Sequence, residues 1–244
     1  MRQIAGILWK IIFLLHFTIT LVLLYPLFAI LLTNKKWYRH CFSLMRFWAH
    51  LLIWPMGIFY QTEYRYKPAR GRKYIFVSNH TSYLDIIISY CVLDDYFIYM
   101  GKQELRKVPL FNVFFKDMNI LVDRKSRIGS HKAYKRAEEE LRKGHSLILY
   151  PEGTISKESP RMRPFKSGAF RLAIESGVPI VPITFVDNWK RLQDKPFLQG
   201  RSGPGRVHII IHPPIPTAGR SMSEVSSLSD EVKAVIESGL NPAD

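Results

Sequence analysis

Two side chains that could move a proton, His80 and Asp85, lie five residues apart in the segment NHTSYLD, residues 79–85. The segment follows an apolar run that predicts a strand, and ligands bind at the carboxyl ends of strands in open α/β sheets. In one continuous helix the two side chains would diverge by about 140°. If His80 instead lies in the turn and Ser82 is the N-cap, Asp85 occupies the third helical position. From there it can hold one imidazole nitrogen and leave the other as a general base. An ordinary capping box beside a loop histidine fits the same residues, so both interpretations stay open.

Three further polar groups lie at or near the ends of predicted strands. In YPEGT, residues 150–154, Gly153 permits a tight turn beside Glu152. Lys102 and Arg124 lie between the two segments, and Arg124 comes just after the apolar run NILV. A basic residue at the carboxyl end of a strand can bind a phosphate, and arginine can do so with two parallel hydrogen bonds. Taken singly, each of these residues also fits an exposed surface position.

The elements that would position these groups alternate between strand and helix patterns. Apolar runs predict strands at 74–78, 96–100, 119–123, 147–150, 180–186 and 207–211, and periodic segments predict helices at 82–93, 167–176 and from 221 onward. Ser130 is expected to cap another helix that ends at Gly144, and Ser221 with Glu224 forms a capping box. Two prolines in VPIVPI, residues 178–183, favour an edge or bulged strand that lines a groove for an apolar chain. The fold class expected is α/β, with a mixed, largely parallel sheet flanked by helices.

The N-terminal part of the chain has a different composition. Residues 11–33 carry no formal charge, only His16 being ionisable, and a helix of that length crosses a hydrocarbon core of roughly 30 Å. Residues 37–59 mix aromatic and basic side chains, which suits the lipid headgroup layer. We therefore expect an N-terminal membrane-associated helical segment at 1–60 and an α/β domain at 61–244.

Several arrangements of this segment remain open. It could be a spanning helix with an interfacial one, or, because Pro26 interrupts the first run, a hairpin that dips into one leaflet. The alternatives are a cleaved signal peptide and a helix pair buried in a soluble core. The uncharged run is long for both, and no small-residue cleavage site follows it. Basic residues dominate after the run, so the rest of the chain is expected to face the cytoplasm from the cell membrane.

Charge and cysteine content narrow the function classes. The chain has 244 residues, 35 Lys and Arg against 20 Asp and Glu, and a formal net charge of +15. Such a balance indicates an anionic partner: nucleic acid, a membrane surface or a phosphorylated substrate. No nucleic-acid motif is evident, so nucleic acid is not expected as a partner. Cys41 and Cys91 are too few for a disulfide scaffold and lack the companions of a zinc site, so no metal is expected.

Taken in order, four fragments resemble the glycerophospholipid acyltransferase family, typified by lysophosphatidic acid acyltransferases. They are NHTSYLD at 79–85, which matches the H-x4-D motif, KQEL at 102–105 with NILVDR at 119–124, YPEGT at 150–154 and VPIVPI at 178–183. The resemblance spans about residues 74–186. It implies His80 and Asp85 as catalytic residues, and Lys102, Arg124, Glu152, Gly153 and Thr154 as substrate-binding residues.

The resemblance also implies a reaction. His80 would deprotonate the free hydroxyl of 1-acyl-glycerol 3-phosphate, Asp85 would orient the ring, and the alkoxide would attack an acyl thioester to give phosphatidic acid. Acyl-CoA or acyl carrier protein would be the co-substrate, with membrane lipids and a lysophospholipid acceptor as partners and no cofactor. Other acceptors stay open, namely glycerol 3-phosphate, another lysophospholipid or a lyso-aminolipid. A membrane-surface lipid-binding module without catalysis is the remaining alternative.

Two departures from the family pattern affect the choice of acceptor. The family often has arginine after the Gly-Thr of its third motif, where this chain has Ile155, and often has glycine where Asn119 stands. We expect Arg161 or Arg163 to supply the missing positive charge.

Overall fold

The computed structural model describes residues 2–103, 110, 112–115, 118–123 and 126–240. Its strands are β1 (Ile58–Tyr64), β2 (Ile75–Ser78), β3 (Phe97–Lys102), β4 (Ile120–Val122), β5 (Ser146–Leu149), β6 (Ile180–Phe185) and β7 (Gly205–Ile211). Its helices are α1 (Arg2–Leu31), α2 (Tyr38–Ile53), α3 (Leu84–Val92), α4 (Arg127–Arg142), α5 (Gly168–Ser176) and α6 (Val225–Leu240). The strand β1 runs across residue 60, where the sequence analysis divided the chain.

These strands form one sheet in the order β1-β7-β6-β2-β5-β3-β4. Only the β6–β7 pair is antiparallel, and the other described pairs are parallel. The three neighbours β6, β2 and β5 are buried at every residue, as expected for strands covered on both faces. The predicted mixed, largely parallel sheet is therefore confirmed. Because β6, β2 and β5 are parallel neighbours, the segments that follow them emerge at the same edge.

Two local predictions were wrong. The strand carrying Pro182 is not at an edge but third of the seven, and it is wholly buried. The Pro182 carbonyl accepts from the His212 nitrogen, which lies just beyond the end of β7. The N–H that proline lacks would face the same position, past the paired residues of β6 and β7, and the strand therefore tolerates the proline. The cap of α4 is Ser126, whose side chain accepts from the Gly129 nitrogen, whereas Ser130 lies inside the helix.

The two N-terminal helices form an antiparallel hairpin with different surroundings. Seven residues of α2 are buried against the rest of the chain, among them Phe42, Trp48 and Leu52, so α2 belongs to the core. The helix α1 is long and apolar enough to cross a membrane, yet only 22% of its most apolar window is buried. It packs on α2 through the bond from Trp48 Nε1 to Thr20 Oγ1, 2.9 Å, and exposes one apolar face. The exposed side chains are Ile4, Leu8, Ile11, Ile12, Leu14, Leu15, Ile19, Val22, Leu23, Leu27 and Ile30.

A buried polar chain joins the sheet to α6. The Thr184 hydroxyl donates to the Ile236 carbonyl at 3.0 Å and lies 2.8 Å from His212 Nε2. Since the single hydroxyl proton is used on Ile236, the imidazole must donate from Nε2. Burial, aided by the positive charge of Arg65, lowers the pKa of His212 to about 4.

This lowered pKa predicts a loss of stability in acid. Below pH 6.5, the ordinary pKa of histidine, His212 binds a proton in the unfolded chain, whereas in the folded chain it stays neutral down to about pH 4. The free energy of unfolding should therefore fall by about 2–3 kcal/mol as the pH drops through this window. Urea titrations of the wild type and of His212→Gln between pH 7 and pH 4 measure the effect. If both proteins lose the same stability, His212 is not responsible.

Candidate active site

The turn between β2 and α3 is shaped by backbone bonds from polar side chains. Asn79, fully buried, donates from Nδ2 to the Phe185 carbonyl and accepts from the Phe185 nitrogen at Oδ1, 2.9 and 2.8 Å. Its side chain thus extends the pairing of β2 with β6 by one residue. The Ser82 hydroxyl accepts from the Leu84 nitrogen, and the helix begins at Leu84, two residues later than predicted. His80 consequently lies in the turn, between the strand and the helix.

His80 and Asp85 are in direct contact. The distance from His80 Nδ1 to Asp85 Oδ2 is 3.0 Å, and their side chains are 12% and 0% exposed. Asp85 reaches back from the first turn of α3, as the interpretation with a catalytic pair requires. No described residue bonds His80 Nε2, so this nitrogen is available to a substrate. A base held at one nitrogen and open at the other is the geometry of general-base catalysis.

The carboxylate of Asp85 is held by five donors. Oδ2 accepts from His80 Nδ1 and from the backbone nitrogens of Thr81 and Ser82, at 3.0, 2.6 and 2.9 Å. Oδ1 accepts from Thr81 Oγ1 at 3.2 Å and from Asn188 Nδ2 at 2.8 Å. The bonds to Thr81 and Ser82 also satisfy backbone nitrogens just before α3, so the two interpretations left open by the sequence do not exclude each other.

Asn188 was missed by the sequence analysis. It is fully buried in a short 3-10 helix that follows β6, 103 residues from Asp85. Nothing in its sequence neighbourhood distinguishes it from a loop asparagine, and only the adjacency of β6 and β2 brings it to the carboxylate.

The ring of Tyr150 lies flat on the His80 imidazole. The ring centroids are 4.0 Å apart and the planes differ by 16°. Burial raises the pKa of the Tyr150 hydroxyl well above its ordinary value, so the ring is a neutral phenol. Its electron-rich face suits the imidazolium that forms when His80 takes a proton. The sequence analysis quoted Tyr150 within its motif but gave it no role.

Glu152 links two loops rather than facing solvent. It is 3% exposed, and its oxygens accept from the backbone nitrogens of His80 at 2.7 Å and Arg163 at 2.8 Å. Burial raises the pKa of this carboxyl, while the two N–H donors oppose the rise. With both oxygens bonded to the backbone, Glu152 positions His80 and the 151–166 loop. Its role as a substrate-binding residue stays a prediction.

The remaining predicted residues have varied positions. Gly153 has φ +78°, in the left-handed region, and its nitrogen closes a turn on the Tyr150 carbonyl, so the expected tight turn is present. Thr154 follows, half-buried, in the same loop. Lys102 is the last residue of β3, which pairs with β5. The side chain of Lys102 and the whole of Arg124 lie outside the described residues.

A cavity of about 490 Å³ lies in the 151–166 loop, which contacts the turn that carries His80. Ser156, on its wall, donates its backbone N–H to the His80 carbonyl at 2.9 Å, and Arg163 is the residue bonded to Glu152. Three exposed cations belong to this wall, Lys157, Arg161 and Arg163. Ile155, which stands in place of the family's arginine, is buried. Arg161 and Arg163, which were expected to supply the missing positive charge, lie on the cavity wall, and that role stays a prediction.

Comparison with known proteins gives matches over the same region. The family model described as Acyltransferase matches residues 58–186, just over half of the chain. A chloroplastic 1-acyl-sn-glycerol-3-phosphate acyltransferase from Brassica napus is 32% identical over 213 residues, 84% of this chain and 58% of that protein. A 1-acyl-sn-glycerol-3-phosphate acyltransferase from Salmonella typhimurium is 27% identical over 176 residues, 70% of this chain and 69% of that protein. The chain thus spans less than three fifths of the plant relative.

A solved structure has the same fold. The crystal structure of the 1-acyl-sn-glycerophosphate acyltransferase from Thermotoga maritima superimposes with a TM-score of 0.81 at 23% identity. The match covers 98% of this chain and 96% of that one. The N-terminal hairpin and the sheet are thus parts of a fold already known as a whole.

Substitution of Asn188 tests whether it acts on the charge of Asp85. A hydrogen bond to a charged group contributes about 1.5–3 kcal/mol, so Asn188→Ala should lower acyltransferase turnover about tenfold. Asn188→Asp keeps the shape but sets a second carboxylate 2.8 Å from Asp85 Oδ1, so the loss should exceed a hundredfold, of order a few kcal/mol. Turnover at saturating substrates and the thermal midpoint are measured together. A purely packing role would make the isosteric Asp variant the milder one, which would contradict our assignment.

Proposed function

The chain belongs to the acyltransferase family, and from this we propose that it transfers a fatty acyl group from an acyl thioester to the free hydroxyl of 1-acyl-glycerol 3-phosphate. The observation that carries the proposal is the His80–Asp85 pair, with Nδ1 bound to a buried carboxylate and Nε2 available. The named activity of the relatives in Brassica and Salmonella supports the choice of acceptor.

The site geometry supports a direct transfer. His80 Nε2 takes the proton of the acceptor hydroxyl while its oxygen attacks the thioester carbonyl carbon. The new C–O bond forms, the C–S bond breaks, and the proton on Nε2 passes to the departing thiolate sulfur. Asp85 keeps Nδ1 protonated throughout and stabilises the transient imidazolium, and Tyr150 supports the ring from one face. General-base assistance of this kind contributes roughly 10²–10⁴ in rate.

The donor is a thioester of coenzyme A or of acyl carrier protein. A thiolate is a good leaving group, so the base and the positioned acceptor suffice for the chemistry. The net charge of +15 favours both the anionic coenzyme and an acidic carrier protein.

The acceptor phosphate fits the cations on the cavity wall. Arg161 and Arg163 present guanidinium groups, which bind phosphate oxygens in pairs. Arg163 is joined through its backbone to Glu152, and Glu152 is joined to His80, so a phosphate held there lies at a fixed distance from the base. This wall favours a phosphorylated acceptor over a lyso-aminolipid without phosphate.

The exposed apolar face of α1 supports a membrane location. Its eleven exposed large apolar side chains have no cover among the described residues, and a lipid acceptor resides in the bilayer. Lys35, Lys36 and Arg39 follow the helix, which favours the cytoplasmic side for the catalytic domain.

Replacing the base tests the mechanism. His80→Ala should reduce acyl transfer about 10²–10⁴-fold with the thermal midpoint near that of the wild type, because Asp85 keeps its four other donors. Asp85→Asn should cost less rate but also lower the midpoint, because it weakens the cap of α3. Release of free thiol on addition of 1-acyl-glycerol 3-phosphate is the measurement. Activity of His80→Ala within tenfold of wild type would remove the base assignment.

Replacing the cavity arginines tests the acceptor. The double variant Arg161→Ala and Arg163→Ala should raise the KM for 1-acyl-glycerol 3-phosphate at least about tenfold, since two charge-assisted contacts are lost. The KM for the acyl thioester should stay near the wild-type value. Arg220→Ala removes one cation paired with Glu231 near α6 and serves as the control for net charge. An unchanged acceptor KM in the double variant would show that the phosphate binds elsewhere.

A further inference from the structure

The connection between β6 and β7, residues 186–204, reaches from the catalytic pair to the N-terminal helix. At its start, Asn188 donates to Asp85, and the Leu192 carbonyl accepts from the Ser82 hydroxyl at 2.6 Å. Leu192 then pairs with Ser202 in a β-bridge, so the two arms of the connection run side by side. The segment therefore forms a hairpin with one end on the active site.

The far end of this hairpin is fastened to α1 by a buried lysine. Lys10 is 5% exposed, and its ammonium donates to the carbonyls of Phe197, Gln199 and Gly200 at 3.0, 2.7 and 3.5 Å. The ammonium has three protons, and three carbonyls of one turn surround it. Burying a charge is costly unless hydrogen bonds compensate it, so these three bonds favour one position of the turn on α1.

Two more bonds hold the same turn on α1. Gln3 Nε2 donates to the Leu198 carbonyl at 3.1 Å, and the Ser202 hydroxyl donates to the Gly6 carbonyl at 2.9 Å. A Cβ on Gly6 would lie 3.0 Å from Ser202 Oγ, so the two backbones approach closely. The turn and the N-terminal half of α1 thus form one rigid unit.

The tip of the hairpin is apolar and exposed. Phe197 and Leu198 are 44% and 63% exposed, beside the part of α1 that also exposes Ile4 and Leu8. Lys190, Lys195 and Arg201 are exposed on the arms, and the first and last of them lie over the Trp189 ring. Apolar side chains at a tip with cations and an indole behind it match the depth profile of an anionic lipid surface.

We propose that the β6–β7 connection is a second lipid-contacting element, which Lys10 locks to α1 so that contact with an anionic bilayer keeps Asn188 on Asp85. Phe197 and Leu198 enter the interface next to α1, and the cations of the arms meet the headgroups. The hairpin runs from Leu198 through the Leu192–Ser202 bridge to Asn188, so the order of the catalytic pair then depends on its contact with lipid. The part concerning activity rests on the proposed function, and the lipid contact does not.

The lipid contact is tested with a fluorophore at the tip. Leu198→Cys is labelled with an environment-sensitive dye, which is selective because Cys41 and Cys91 are buried. Ser227→Cys on the exposed face of α6 is the matched control. With vesicles of phosphatidylcholine and phosphatidylglycerol, emission from position 198 should shift to the blue and be quenched by spin-labelled lipid, while position 227 shows neither. Equal responses at both positions would overturn the proposal.

The lock is tested by removing the ammonium. In the Leu198→Cys background, Lys10→Met should reduce quenching at the tip at least about threefold, whereas Lys132→Met on the exposed side of α4 should not. Acyl transfer to acceptor embedded in vesicles should fall about tenfold for Lys10→Met and stay unchanged for Lys132→Met. Full quenching and full activity in Lys10→Met would overturn the lock.

Two further variants keep the test independent of folding and of the proposed reaction. If Lys10→Met lowers the thermal midpoint, the surface double variant Phe197→Ser and Leu198→Ser is decisive. This variant should raise the acceptor KM in vesicles but not in detergent micelles. A KM in vesicles equal to that of the wild type would overturn the proposal. His80→Ala in the labelled protein should leave the quenching intact. Quenching without any acyl transfer in the wild type would therefore contradict the proposed function alone.

Discussion

A single buried carboxylate organises the catalytic region. Asp85 accepts five hydrogen bonds, from the imidazole, from two backbone nitrogens, from a hydroxyl and from an amide that arrives with another strand. A buried carboxylate is stabilised when its acceptor sites are filled, so these donors together stabilise the turn as well as hold the imidazole. The same bonds start α3 and aim His80. Catalytic geometry and helix capping are therefore parts of one interaction, and a variant at Asp85 cannot separate them.

The sheet order explains how these donors converge. The strands β6, β2 and β5 are parallel neighbours, and they deliver Asn188, His80 and Glu152 respectively at one edge. Glu152 then joins the backbone of His80 to the loop that bears Arg163. Base, carboxylate and cationic wall are thus connected by hydrogen bonds through the main chain.

Local signals in the sequence predicted the features that depend on near neighbours. The contact of His80 with Asp85 was predicted from a turn followed by a helix, although Asp85 is the second residue of α3 and not the third, and the Ser221–Glu224 capping box is present as expected. Asn188 could not be predicted, because its role depends on which strands are adjacent. The burial of α2 was missed for a related reason, since aromatic and basic side chains suit a lipid interface and an amphipathic core helix equally well. The prediction of an edge strand from Pro182 was wrong because the strand propensity of a sequence does not indicate which residues lie beside the end of the strand.

The flat contact of Tyr150 with His80 also has a stereochemical consequence. One face of the imidazole is covered at 4.0 Å and one edge is held by Asp85, so an alcohol reaches Nε2 from the sector that these two contacts leave open. A polyol then reacts at whichever oxygen can be brought into that sector. An acceptor whose hydrocarbon tail must stay among other hydrocarbon chains has few poses that also bring a hydroxyl into that sector. Regioselectivity in such an enzyme would thus arise from a restricted angle of attack, without any group that recognises one hydroxyl over its neighbour.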